Sequence, residues 1–203
     1  MFLENHGNTT RTATALLPRL LLAGVLAFPE VALAAEPLTR IADIRGLERG
    51  EAARALPVRV RGTITWRGGR KHFNIQDDTT GIWVDFVESR KRNLWQGPEE
   101  ILDQTLEGTE VEVTGWSDPG GYSPLIVPAT VRILGQKPLP TALPMDPARF
   151  FNGADDCLRI EVRGVVQGYQ QVGADGWILL LDANPGRFGA HVSQAVVPDP
   201  AAL

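Results

Sequence analysis

The sequence predicts an all-β fold with short helices: a five-stranded Greek-key barrel followed by a second, incomplete copy of the same module. Three observations carry this. Apolar and polar residues alternate through three consecutive stretches between Pro57 and Val87. A short helical pattern separates those stretches from two more. After a proline-rich segment the strand pattern restarts over residues 158–192.

Residues 36–56 form a lead-in. Ile41, Ile44 and Leu47 are spaced to cover one end of a barrel, and Glu48–Arg54 suits a helical turn that stops before Pro57. In the first strand Val58, Val60, Ile64 and Trp66 take the inner face, and Arg59, Arg61, Thr63 and Thr65 the outer. Arg67-Gly68-Gly69-Arg70 reverses the chain, because paired glycines permit the positive φ that hairpin turns need. The second strand sends Phe73 and Ile75 inward and His72, Asn74 and Gln76 outward. After the turn Asp77–Gly81, the third sends Ile82, Val84 and Phe86 inward and Trp83 and Asp85 outward.

Glu88–Gln96 is polar and basic and has the character of a loop. Gly97–Gly108 carries helix signals: proline and acids in the first turn, apolar residues at helical spacing, glycine after the end. A fourth strand puts Val111 and Val113 inside and Glu110, Glu112 and Thr114 outside. The turn-rich loop Ser117–Ser123 leads to a fifth strand, Leu125–Leu134, whose flanking and internal prolines Pro124 and Pro128 predict an edge strand or a bent end. The order β-β-β-α-β-β is that of the OB-fold, a partly open five-stranded barrel.

The second copy follows a linker at 136–146. A helix is predicted over Pro147–Asn152, then Leu158–Val166 echoes the first strand, with Gly164 where Gly62 falls. Gly176–Asp182 echoes the second with Asp182 in the place of Asp77, and Gly186–Val192 echoes the third. That alignment puts Leu179 and Leu181 on the outer face of the second copy, which predicts a covered face. Its fourth and fifth strands are missing, so another chain, the first module, or a further C-terminal region of a longer protein is expected to complete it. The resulting domains are 1–34, 35–135, the linker 136–146, and 147–203.

Residues 1–34 have the pattern of a signal peptide: Arg11 and Arg19, then the apolar run Leu20–Phe28, then Ala32-Leu33-Ala34 as a cleavage site. Export to the periplasm or beyond is expected. The run is about ten residues, too short to span a bilayer unaided, and an uncleaved N-terminal anchor is the alternative. No other stretch approaches spanning length.

Together, PVRVRGTITW…FNIQDDTTGIWVDF, GTEVEVTGW…GYSPLIVPATVRILG and LRIEVRGVV…ILLLD resemble the tandem OB-like modules of exported bacterial regions. Such modules precede sensor histidine kinases, and similar ones precede the catalytic domain of secreted nucleases. The resemblance covers roughly residues 38–192 and implies a sensory or accessory module outside the cytoplasm. It carries across no ligand.

The chemistry of catalysis is missing. His72 and His191 stand apart from Cys or close carboxylates, so no metal site and no cofactor are expected. Asp77-Asp78 and Asp155-Asp156 have no second acid or base placed opposite. Cys157 is the one cysteine, which excludes an intramolecular disulfide, and its default role is a buried filler. Net charge is −4, yet residues 38–73 hold nine Lys/Arg against three acids. Any electrostatic attraction is therefore local.

The candidate site is the outer face of the first three strands with the loops beside it: Arg59, Arg61, Arg70, Lys71, His72, Asn74, Trp83 and Tyr122. An OB-fold binds oligonucleotides and oligosaccharides there, between the loops joining strands one to two and four to five. An outward Trp83 beside arginines can stack a base or a sugar ring. Alternatively, Trp83 packs against the lead-in or the second module, and the arginines pair with Glu110 and Glu112. The sequence thus predicts an exported, non-catalytic ligand-binding or sensory module whose ligand is an oligosaccharide or peptide, or else a protein binding single-stranded nucleic acid outside the cytoplasm.

Overall fold

The strand that organises the fold is β1, Pro57–Arg67, because it belongs to both halves of a barrel. In the computed structural model, which describes residues 36–173, 176–184, 186–193 and 195–202, its first part pairs with β4 (Thr109–Asp118) from Pro57 to Thr63. From Thr63 to Arg67 it pairs with β2 (His72–Gln76). The predicted signal segment 1–34 lies outside the described residues. With β3 (Gly81–Asp85) and β5 (Leu125–Gln136), the strands close in the order β1-β2-β3-β5-β4. All neighbours are antiparallel except β3 and β5, which run parallel.

Apolar alternation fills the interior. Val58, Val60, Ile64, Phe73, Ile75, Ile82, Val84, Val111, Val113 and Ile126 form one buried cluster. The lead-in helix α1 (Ile41–Arg45) adds Ile41 and Ile44, both fully buried, and α2 (Arg49–Ala52) follows it.

Two boundaries differ from those the sequence predicts. β3 stops at Asp85, whose carboxylate accepts hydrogen bonds from Val87 N and Glu88 N and so caps a helix, α3 (Phe86–Lys91), in the segment expected to be loop. Phe86 is still buried, against Phe73 and Trp95, but from a helix. The helix expected over 97–108 shortens to α4, Ile101–Gln104. β5 pairs with β4 along its length but with β3 only at Ile126, and the bend that its prolines predict falls at Pro128. Pro128 is accommodated because it faces Gly115 at a register shift, where the ladder asks no hydrogen from it.

The repeat is more complete than its sequence. β6 (Leu143–Pro144) pairs in parallel with β7 (Ile160–Glu161), as Leu38 bridges Val58 in the first copy. The second module thus begins inside the stretch whose composition marks a linker. Helix α5 (Pro147–Asn152) takes the place of α1, and Gly153 ends it with the positive φ that glycine tolerates. Then β8 (Val165–Val172), β9 (Gly176–Asp182) and β10 (Arg187–Ser193) form a three-stranded sheet. The predicted first strand over 158–166 is therefore broken at 162–164 and runs on to Val172.

Pairing fixes the alignment of the copies. Thr63 faces Gln76, and Val165 faces Asp182, so Asp182 matches Gln76 and not Asp77. The turn hydrogen bonds agree, with Asp77 N to Thr80 O matched by Ala183 N to Gly186 O. One residue of slip exchanges the two faces of a strand. Leu179 and Leu181 therefore point with the core residues Phe73 and Ile75, and Leu180, half exposed, takes the outer face.

At Asp77 the copies solve one problem in two ways. Its Oδ2 accepts from Ile41 N, the Thr79 hydroxyl accepts from Ala42 N, and Asp77 Oδ1 accepts from Thr79 and Thr80 N. The β2–β3 turn thus caps α1, whose own N-cap position is Arg40 and has no capping side chain. Burial alone raises the Asp77 carboxyl, but these hydrogen bonds outweigh it and hold it below the ordinary aspartate value. In the second copy the turn has Ala183, and α5 is capped by its own Asp146. Asp77→Ala is expected to lower stability by about 1–2 kcal/mol, the cost of a lost cap, with a corresponding fall in the thermal midpoint. An unchanged midpoint contradicts the capping role.

Candidate functional site

Trp66 ought to be buried by strict alternation, yet it is 44% exposed. A β-bulge explains it. Ile64 pairs with Ile75 but Trp66 pairs with Asn74, so Thr65 is the extra residue and the indole turns to the outer face. Asn74 also faces Trp83 across the β2–β3 ladder, which puts the amide between the two tryptophans.

His72 completes the group. Its ring lies 4.2 Å from that of Trp83 and 5.4 Å from that of Trp66, near parallel to both, and the two indoles are 5.7 Å apart. The imidazole also covers Gly68, where any Cβ would overlap it. Burial pushes the His72 imidazole below its ordinary value, Lys71 works in the same direction, and Asp85, its cross-strand partner, opposes both. The balance favours the uncharged ring. Asn74 Oδ1 is buried with no hydrogen-bond partner among the described residues. An unmet acceptor in the middle of an aromatic surface is unusual in a settled fold.

The second copy shows that the module itself does not need these side chains. At the positions of Trp66, His72, Asn74 and Trp83 it has Gly168, Ile178, Leu180 and Gly189. Its inner positions stay apolar, with Val166, Leu181 and Phe188 for Ile64, Ile75 and Ile82.

Of the eight residues expected from sequence, His72, Asn74 and Trp83 come together in this platform. Lys71 is exposed in the adjoining β1–β2 turn, where Gly69 supplies the positive φ. Tyr122, on the β4–β5 loop and 73% exposed, lines a cleft of about 230 Å³ with Trp83. Its hydroxyl donates to Asn152 O at 3.3 Å.

Arg59 and Arg61 are elsewhere, on the part of β1 that pairs with β4. There they converge with Arg132 on Glu112, at 3.3, 3.1 and 3.0 Å. The Glu112 side chain is 7% exposed, and the hydrogen bond from Arg132, reinforced by Arg59 and Arg61 and opposed by burial, holds its carboxyl down at about 2. Arg70 is bound by both carboxylate oxygens of Asp103. The alternative of acid-paired arginines is thus observed for all three, with Glu112 and Asp103 as partners, while Glu110 takes Lys137. Sequence reading missed Trp66 because nothing in Thr63-Ile64-Thr65-Trp66 marks the bulge.

Among the described residues no group of three or more His, Cys, Asp or Glu could hold a metal ion. No helix there is long and apolar enough to cross a membrane.

No family model matches the chain, and no curated protein does. Among solved structures it is similar to the hypothetical protein ygiW from E. coli, at 20% identity, with 49% of this chain and 91% of that one covered and a TM-score of 0.35. It is also similar to asparaginyl-tRNA synthetase from Pyrococcus horikoshii complexed with asparaginyl-adenylate, at 14% identity, with 70% of this chain and 41% of that one covered and a TM-score of 0.32.

Two outcomes follow. Ring currents from the indoles are expected to shift the His72 ring protons upfield, and Gly68→Ala is expected to return them toward free imidazole. Unmoved resonances contradict the stack. Glu112 stabilises the fold fully above its unfolded value near 4.5, and that stabilisation is lost as pH falls toward about 2. Glu112→Gln is expected to cost about 1 kcal/mol at pH 7, a figure reduced by the exposure of its arginine partners, and to flatten the melting midpoint between those pH values. An acid-limb slope equal to that of the wild type contradicts the assignment.

Proposed function

We propose that the chain is a non-catalytic binding module of the OB type, acting outside the cytoplasm, whose first barrel holds a neutral oligosaccharide on the Trp66–His72–Trp83 platform. The strand order, closing through a β1 shared by two ladders, supports the OB assignment. The platform lies where such barrels bind, flanked by the β1–β2 turn and the β4–β5 loop. Export is the reading that the N-terminal pattern supports.

The observation that carries the ligand class is the aromatic platform itself, whose neighbour Arg70 is paired with Asp103. Sugar rings present flat C–H faces that stack on indoles. Bases stack equally well, so single-stranded nucleic acid is the second reading. Against it, Arg59, Arg61, Arg70, Arg90, Arg92 and Arg132 are each bound to a carboxylate. A phosphate backbone would have to compete for them.

Tryptophan fluorescence titration separates the two. A β-1,4-linked glucose hexamer is expected to bind with little dependence on salt, and Trp66→Ala or Trp83→Ala to weaken it about fivefold or more, taking the low end of the roughly 1–3 kcal/mol that stacking a base on an aromatic ring contributes. Tight binding of an oligothymidylate that collapses between low and high salt, with no sugar binding, overturns the oligosaccharide in favour of the nucleic acid.

A further inference from the structure

The cleft between Trp83 and Tyr122 is closed by the second module. The turn after α5 packs onto the barrel so tightly that the Cys157 carbonyl occupies the space a Cβ at Gly81 would need. Cys157 itself has a left-handed φ of 63°, a conformation that costs a non-glycine residue some strain. That geometry brings Asp156 to the cleft wall beside Ser123.

Asp156 is fixed by two contacts. Arg45 Nη1 donates to its Oδ2 at 2.9 Å, and the Ser123 hydroxyl donates to the same oxygen at 3.2 Å. Arg45 also donates to Ser123, so α1, the β4–β5 loop and the second module meet at one hydrogen-bonded junction. Both of these bonds fall on Oδ2 and not on Oδ1. Asp156 is the one charged side chain among those lining the cleft, and 38% of its side chain is exposed. Burial pushes the neighbouring Cys157 thiol up to about 12, and Asp156 adds to that, so the thiol stays protonated and brings no charge.

Two aromatic faces with a carboxylate beside them suit a cationic group. The rings attract it through their negative faces, and the carboxylate pairs with it. Resting on the oligosaccharide reading, we infer that this cleft is a subsite for the protonated amine of an amino sugar, with Asp156, from the second module, as the residue that selects it. The tandem arrangement then has a purpose at the site: the first copy supplies the stacking surface and the second supplies the charge that discriminates between sugars.

The test compares hexamers of β-1,4-linked glucosamine and glucose, titrated against the full chain at pH 5.5, where the amines are protonated. The glucosamine hexamer is expected to bind about fivefold more tightly, the size of effect one partly exposed ion pair produces. Asp156→Asn, which keeps the shape and an oxygen for Arg45 and Ser123, is expected to bring the ratio to one or below, because the Arg45 charge is then uncompensated. Raising pH through the amine titration should shrink the wild-type preference in the same way. A thermal melt of the variant reports whether the Arg45 junction has survived. Equal affinity of the wild type for both hexamers, or a preference that Asp156→Asn retains, overturns the subsite alone. Binding of neither hexamer overturns the oligosaccharide reading and the subsite with it.

Discussion

The exposed face depends on one extra residue in β1. A strand exposes alternate side chains, so an insertion of one residue into its pairing moves everything beyond it to the other side of the sheet. At Thr65 this happens between Ile64, which is fully buried, and Trp66, which is half exposed. Without the bulge an indole would enter a core already filled by Phe73, Phe86 and Ile64, where overpacking costs on the order of 1–3 kcal/mol. With it, Trp66, His72 and Trp83 form a continuous outer surface, and the core keeps its β-branched packing. The bulge recurs in the second copy between Val166 and Gly168. It is therefore part of the module's architecture, and what varies is the side chain it turns outward.

The two copies act as an internal comparison that separates what holds the module together from what it does. Core positions exchange one apolar residue for another. The helix N-cap is retained in function while its carboxylate moves from the β-turn residue Asp77 to the helix residue Asp146. The outer face shows no such compensation: two tryptophans become glycines and the amide becomes leucine. Stability explains the conserved features, and it does not explain the platform. An exposed aromatic stack over a buried, unpaired Asn74 acceptor is what sets the first copy apart.

Much of the fold was legible because period-two alternation is a local signal. The strands of the first barrel, the Gly68-Gly69 turn and the role of Ile41 and Ile44 all follow from residues near in sequence. What was not legible depends on pairing. A bulge such as that at Thr65 carries no residue signature here, so Trp66 was assigned inward. In the second copy, aligning Asp182 with Asp77 matched like residues, while the ladder matches Asp182 with Gln76, and the slip exchanged Leu180 for Leu179 and Leu181 on the outer face. Asp85 ended β3 early by capping α3, a competition between strand and helix that alternation cannot register. Of the site, His72, Asn74 and Trp83 were found by alternation and Tyr122 by its loop. Arg59 and Arg61 were grouped with them because the change of partner along β1 at Thr63 is a tertiary fact. Asp156 reaches the cleft only through the docking of the second module.

In the proposed binding mode Trp66 and Trp83 together form the ligand-contacting surface. The five tryptophans give five indole N–H resonances, and following all of them in one NMR titration with a glucose hexamer tests that claim directly. Shifts concentrated at Trp66 and Trp83, with Trp95, Trp116 and Trp177 unmoved, are the predicted result. Binding that leaves Trp66 and Trp83 in place while another indole moves would contradict it.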